Sequence, residues 1–255
     1  SRRLVFGVSG FLSPLAWIGV YALLSSLFRK KMWVVPAFLV LALADVRVTD
    51  RHLLPFLSLA LLARGASGSR LAFVFAGALA GASVFYSLDT GIYAVLIGGA
   101  FIAAYGIGAR LCSSEDMARF GARYLFGVAV GVLPFILYLV ANGIFDDFLR
   151  NSFEQIRYQR QIWGVSPPSL ASLMGPFENA TMRNRAFYAF IKWYFPAAVY
   201  VGCAVLALPM IFSRSLSEED APALLALLAG IIFFPSALGR ADEAHLMYAL
   251  APFWV

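Results

Sequence analysis

A group of ionisable side chains lies near the end of the sequence, in GRADEAH at positions 239–245. Asp242 and His245 are three residues apart and would share a face of a helix, while Arg240 and Glu243 would share a neighbouring one. A carboxylate can orient an imidazole or bind a metal with it, but two residues are too few to define a metal site. Either these groups belong to a functional site, or Arg240 and Glu243 only neutralise each other.

A second charged segment reads DVRVTDRHLLP and precedes a run of apolar residues. The fork of an arginine guanidinium suits an anionic phosphate. Arg47, Arg51 and His52 are therefore candidates for donating hydrogen bonds to a phosphate group. Asp50 is the acidic candidate of the segment. The plainer interpretation is a turn whose charges cancel, with Asp50 or Thr49 capping the helix that follows.

A third polar site lies in VFYSLDTGIYAV, where Asp89 separates two strongly apolar runs. Asp89 or Thr90 is a natural cap for the next helix, because such side chains accept backbone N–H groups at a helix start. A carboxylate at a membrane boundary is also costly unless it is paired or hydrated, which makes Asp89 a candidate functional residue. The two roles are compatible.

The longest polar stretch begins with FDDFLRNSFEQIRYQRQIWGVSPPS. Apolar residues recur at helical spacing from Phe145 to Ile156, which predicts an amphipathic helix lying along a membrane interface. We expect the chain to leave the helix after that and to form an irregular basic and aromatic segment around Arg157 and Arg160. Such a segment suits a sugar or lipid-phosphate ligand, and it suits equally the aromatic belt of any membrane protein.

Composition defines the class of protein. The 255 residues are 61% hydrophobic and 13% charged, with a mean hydropathy of +0.79. A soluble domain is closer to half apolar and a quarter charged, so lipid must solvate much of this surface. The apolar runs are continuous rather than alternating, which favours an all-α polytopic bundle over a barrel.

The net charge of +6 then indicates basic helix ends at lipid headgroups rather than a nucleic-acid partner. Cys112 and Cys203 are expected to be free thiols.

The apolar runs predict eight or nine membrane helices in a single domain, 1–255, that we expect to be truncated at both ends. The second and third runs are short for a span. No repeat or linker divides the chain. The predicted spans are Leu4–Phe28, Met32–Asp45, Leu53–Ala63, Leu71–Ser87, Gly91–Gly108, Tyr124–Ile144, Ala186–Phe212 and Ala221–Ala237, with a ninth from Leu246.

The distribution of basic residues predicts which connections share a side of the membrane. Connections rich in lysine and arginine alternate with the others, so we assign the basic ones to the cytoplasm. The opposite, extracytoplasmic side then receives four polar segments that are distant in sequence. These are the connections at 45–52, 87–91 and 239–245 and the long loop at 145–185.

Many short spans, a YSLDTGIY connection, an external interfacial helix and a GRADEAH turn together resemble bacterial polytopic glycosyltransferases of the GT-C superfamily. The resemblance implies transfer of a sugar from a polyprenyl-phosphate donor to an acceptor outside the inner membrane. Membrane lipids and the lipid-linked sugar are the implied partners. The resemblance leaves open whether a divalent metal assists, and it implies no other cofactor and no nucleic acid.

An inverting transfer needs a carboxylate base and a cation that stabilises the departing phosphate. In the family the base usually lies in the first external loop, and we expect that loop, with the base, to be missing from this sequence. Among the residues present, Asp89 and Asp50 are the candidates. The resemblance implies phosphate contacts from arginine and histidine side chains, with other polar residues of the same segments completing the substrate site. The implied substrate-binding residues are Arg240, Asp242, His245, Arg51, His52, Arg47, Arg157 and Arg160.

Two further hypotheses stay open. An O-antigen ligase or polymerase also acts on lipid-linked glycans through arginines outside the membrane. A transporter or lipid flippase would place ionisable residues near the bilayer midplane and show related halves. The charges here gather at one surface and no second half is evident, which favours an enzyme.

Overall fold

The computed structural model describes residues 2–28, 30–43, 50–109, 113–163, 169, 171 and 180–239. These residues form helices and connecting turns, and the described part contains no strand beyond one isolated bridge between Ala109 and Leu216. Two short 3₁₀ turns occupy Lys31–Trp33 and Asp50–His52. The α-helices are α1 Arg2–Leu27, α2 Val34–Leu43, α3 Leu53–Ala66, α4 Arg70–Tyr86, α5 Leu88–Gly108, α6 Ser114–Ala141, α7 Phe145–Trp163, α8 Ala180–Phe212 and α9 Ala221–Gly239.

Within the described residues, three helical segments are long and apolar enough to cross a membrane: Leu88–Gly108, Glu115–Ala141 and Thr181–Phe212. The all-helical class is therefore confirmed, and these three segments have the length and the apolar composition of membrane-spanning helices. The predicted count of eight or nine spans is not supported. Of the shorter predicted spans, α2 has ten residues and is about 15 Å long, half the thickness of a hydrocarbon core.

The helices that qualify differ in how much of them the protein covers. Half of the apolar window of α5 is buried inside the bundle, against 17% for α6 and 11% for α8. Large apolar side chains are exposed along α6 and α8, which is unfavourable in water and favourable in lipid. Examples are Leu125, Phe126, Val130, Leu137, Val201, Val205 and Leu206.

The closest contact in the bundle joins α4 to α6. Each helix carries a G-x-x-x-G pair, Gly77 with Gly81 and Gly127 with Gly131. A Cβ on any of the four would lie 2.1–2.3 Å from a backbone carbonyl oxygen of the facing helix. The two helices therefore touch backbone to backbone, as small residues allow in membrane bundles. Since position 77 faces 124 and position 81 faces 128, α4 and α6 run in parallel.

Helix α5 returns antiparallel alongside both helices and forms the centre of the core. Ile97 and Phe101 are fully buried, and the buried Tyr124 of α6 donates its hydroxyl to the carbonyl of Ala94 at 3.1 Å. Gly98 leaves the space that the Tyr124 ring occupies, because a Cβ there would meet the hydroxyl at 2.1 Å.

Helix α3 packs on the other side of α4, where buried Ser58 donates to the carbonyl of Ala76 at 2.8 Å.

This arrangement gives the bundle two distinct ends. One end, called the Asp89 end below, holds the 3₁₀ turn at Asp50–His52 and the break between α4 and α5 at Tyr86–Thr90. The other, called the Arg70 end, holds the α3–α4 turn, the end of α5 and the residues 215–218 before α9. Sixteen residues of α5 separate Asp89 from Tyr105, which places the two ends about 24 Å apart along that helix.

The amphipathic helix predicted from Phe145 is present, and it is longer than expected. Helix α7 continues through Arg157 to Trp163, so the irregular segment predicted around Arg157 and Arg160 is wrong over that range. The loop predicted at 145–185 is also shorter at its far end, because α8 begins at Ala180. The periodicity of the first three turns simply persists, since no proline or glycine interrupts the chain before Gly164.

We expect Gly77→Ala to destabilise the protein by about 1–3 kcal/mol, because the new methyl group must push α4 and α6 apart. The matched control is Gly99→Ala on α5, where a Cβ meets nothing within 4 Å and helix propensity favours alanine by up to about 1 kcal/mol. Thermal unfolding in detergent compares the two. Equal midpoints for both variants would contradict the backbone contact.

Candidate functional site

Two polar segments meet at the Asp89 end of the bundle. The hydroxyl of Tyr86, the last residue of α4, donates to Oδ2 of Asp50. The hydroxyl of Thr90 in the first turn of α5 lies 3.4 Å from the carbonyl oxygen of Arg51. These bonds join residues 36 and 39 positions apart in sequence. Two of the four segments predicted to share a side of the membrane thus contact each other.

Asp89 lies in the first turn of α5. Its Oδ1 accepts the Ser87 hydroxyl at 2.5 Å and the backbone N–H of Thr90 at 2.8 Å. The side chain is exposed, and Oδ2 has no hydrogen-bond partner among the residues that the structure describes. Asp89 accepts a backbone N–H at the start of α5 as expected, but the cap position belongs to Ser87, which is in extended conformation. The positive end of the α5 dipole favours a negative charge at this position.

Asp50 has both carboxylate oxygens engaged. Oδ1 accepts the backbone N–H of Arg51 at 3.1 Å, and Oδ2 accepts the hydroxyl of Tyr86. The interpretation of Asp50 as the cap of the following helix is therefore wrong: residues 50–52 form a 3₁₀ turn that runs directly into α3, and His52 stands at the cap position. Asp50 ties the start of α3 to the end of α4.

Arg51 and His52 differ in access to solvent. The Arg51 side chain is exposed beside the Asp50–Tyr86 pair, where a guanidinium can reach an anionic ligand. The His52 ring is only 3% exposed and stacks on Phe56 with centroids 5.5 Å apart. Burial does not favour direct contact of this ring with a ligand. The substrate-binding roles predicted for both residues stay predictions.

The amphipathic helix α7 starts at the same end. Phe85, next to Tyr86, packs edge-on against Phe135 of α6, and Phe135 in turn packs against Phe148 of α7, each pair with centroids 5.1 Å apart. This aromatic chain anchors the start of α7 beside the cluster. Farther along, the exposed Arg157 lies 5.4 Å from the ring centroid of its neighbour Tyr158.

Helix α9 runs toward the Asp89 end. Its start follows Leu216, whose N–H donates to the carbonyl of Gly108 at the far end of α5. Farther along, Phe233 packs against Tyr93, one turn from Asp89, with centroids 5.6 Å apart. The remaining predicted site residues lie outside the described residues, as does the side chain of Arg160. They are Arg47, Arg240, Asp242 and His245.

Sequence reasoning missed Tyr86 and Ser87 as members of the cluster. Both lie inside the YSLDTG motif, and a hydroxyl beside a break between two apolar helices is the signal that could have found them. Tyr86 was indistinguishable from an aromatic belt residue, because its partner Asp50 is brought near only by the packing of α3 on α4.

In the part of the chain described, no three His, Cys, Asp or Glu side chains are grouped to hold a metal ion.

No known protein family, curated protein or solved structure matches this chain. The class of protein is therefore defined by the fold and the cluster alone. It is an all-helical protein with membrane-helix character, in which the described residues form a hydrogen-bonded polar cluster at one end of the bundle.

We expect Tyr86→Phe to lower the free energy of unfolding by about 0.5–1.5 kcal/mol, because it removes the hydrogen bond that joins α4 to the Asp50 turn. The matched control is Tyr138→Phe, an exposed tyrosine of α6 whose hydroxyl has no partner in the described part of the chain. Unfolding in detergent measures both. A Tyr86→Phe effect no larger than that of the control would contradict the link.

Proposed function

We propose that this chain is a membrane glycosyltransferase, or part of one, that transfers a sugar from a polyprenyl-phosphate donor to an extracytoplasmic acceptor. The observation that carries the proposal is the contact between the Asp50–His52 turn and the Tyr86–Thr90 break. It gathers carboxylates, an arginine and hydroxyls at one end of a lipid-facing bundle. This is the set of groups that a transfer to a hydroxyl acceptor needs.

Asp89 is the better of the two candidate bases. A base must offer a free carboxylate oxygen to the acceptor hydroxyl, within about 2.6–3.2 Å. Asp89 is exposed and offers Oδ2, while its Oδ1 is held by Ser87 and Thr90. Asp50 has both oxygens in use and acts as the residue that holds Tyr86 in place.

The departing polyprenyl phosphate needs a cation beside the base. Arg51 is exposed at the cluster and takes this role. Arg240 follows α9 directly in sequence, and α9 runs toward the Asp89 end. We therefore keep Arg240 and His245 as further phosphate contacts, with Asp242 orienting His245.

The same proposal assigns the Asp89 end to the extracytoplasmic side of a bacterial inner membrane. It retains the eight or nine predicted spans, of which α2 by itself covers about half of a hydrocarbon core. Helix α4 is about 26 Å long and α9 about 28 Å, close to the thickness of a hydrocarbon core. Helix α7 then lies along the outer interface, with its charged face toward water.

We expect Asp89→Asn to slow donor turnover about 10²–10⁴-fold, because the amide cannot accept the acceptor proton. The assay follows release of polyprenyl phosphate from radiolabelled polyprenyl-phosphate hexoses in proteoliposomes containing cell-envelope glycan acceptors. Asp147→Asn on exposed α7 is the matched control and keeps wild-type turnover. Asp50→Asn loses less activity than Asp89→Asn, since its amide oxygen still accepts the Tyr86 hydroxyl.

The outcomes separate the classes of protein. Wild-type rates in Asp89→Asn would remove Asp89 as the base. Turnover only with diphosphate-linked glycans would indicate a ligase or polymerase, and movement of the lipid-linked sugar across the bilayer without product would indicate a transporter.

We also expect the two ends of the bundle to face opposite sides of the membrane. Single cysteines at Asp146, beside the Asp89 end, and at Glu218, at the Arg70 end, are introduced into a variant in which Cys112 and Cys203 are serine. A membrane-impermeant maleimide applied to intact cells labels position 146 and not position 218. Labelling of both positions from outside would contradict the orientation.

A further inference from the structure

The Arg70 end of the bundle contains a cavity of about 780 Å³, within the size range of small-molecule sites. Four elements form it: the α3–α4 turn, the end of α5, the first turns of α6 and the residues before α9. It is separate from the Asp89 cluster, since α5 places about 24 Å between them. Its floor is apolar and aromatic, from Tyr105, Phe120 and Leu216.

Charged groups of both signs line this cavity. Arg70 supplies one cation, and Asp116 and Glu218 supply two carboxylates. Neither Arg70 nor Glu218 forms a hydrogen bond or ion pair with another described residue. Asp116 uses Oδ2 to accept the N–H and hydroxyl of Ser113, and its Oδ1 has no hydrogen-bond partner in the described ranges. One cation and two carboxylates fit a zwitterion, whereas a multiply charged anion would be repelled by the carboxylates.

The surroundings of the cavity indicate a lipid. Leu71 and Phe75 of α4 are 68% and 58% exposed, and they begin one residue beyond Arg70. Leu125 and Phe126 of α6 are each 63% exposed and begin five residues beyond Phe120. The cavity thus lies where the polar end of the bundle meets its exposed apolar surface, so a headgroup in the cavity leaves the acyl chains against that surface.

We infer that this cavity binds the headgroup of a zwitterionic aminophospholipid such as phosphatidylethanolamine. Arg70 binds the phosphate through its guanidinium, at the positive end of the α4 dipole. Asp116 and Glu218 accept hydrogen bonds from the primary ammonium group. The aromatic floor excludes water from the carbon atoms between the two charges. The bound lipid stabilises the junction of the α3–α4 turn with α6 and the start of α9, independently of any transfer reaction.

The experiment measures the unfolding temperature of the full chain in detergent as phosphatidylethanolamine, phosphatidylcholine or phosphatidylglycerol with identical acyl chains is added. We expect half-maximal stabilisation at the lowest concentration with phosphatidylethanolamine, because only its headgroup offers N–H donors to the carboxylates. Arg70→Gln and Glu218→Gln each raise that concentration about tenfold or more. The matched controls, Arg64→Gln and Glu219→Gln, change charge at the same end outside the cavity lining and leave it unaltered.

Three results would overturn the inference. They are equal stabilisation by all three lipids, retained selectivity in both Arg70→Gln and Glu218→Gln, and equal stabilisation by free phosphoethanolamine, which would assign the cavity to a soluble zwitterion. Asp116 is left unchanged because it closes the capping box of α6 and its loss could unfold the helix start. Because the experiment measures stability, it tests lipid binding whether or not the chain transfers a sugar.

Discussion

The direct backbone contact between α4 and α6 sets the positions of the neighbouring helices. Two pairs of glycines let the helices approach until the carbonyl of one lies where a side chain of the other would begin. In lipid, apolar side chains gain little by packing on each other, so close van der Waals contact of this kind supplies much of the association free energy. Because α4 and α6 are parallel and adjacent, α5, which connects them, must run antiparallel beside both.

The candidate site forms where the chain reverses from α4 into the antiparallel α5. The chain reverses between α4 and α5 at Ser87, which is extended and leaves the ends of two helices side by side. Polar side chains are tolerated there because each has a partner: Ser87 and Thr90 hold Asp89, and Tyr86 holds Asp50. The carboxylate that remains accessible is the one at the positive end of α5, where its charge costs least.

Part of the site was readable from the sequence. Asp89 is a candidate because a carboxylate between two apolar runs either sits at a helix start or serves a site, and both roles place it at the break; the amphipathic helix from Phe145 is evident from its period. Tyr86 could not be assigned, since an aromatic residue near a helix end fits many roles until its partner is known. An aromatic and basic composition does not by itself break a helix, so the predicted end of α7 near Ile156 is wrong and the helix continues to Trp163.

Three properties can be read from the residues alone: the all-helical class, the approximate positions of the long apolar helices and the presence of polar breaks between them. These properties depend on local composition, which sets what each segment can bury and where a backbone must turn. Three pairings become visible only in the folded chain: α4 and α6 touch through glycines, Asp50 meets Tyr86, and Arg70 shares a cavity with Glu218. Those pairings depend on distances between segments remote in sequence, which are set by the helix packing and not by any one segment.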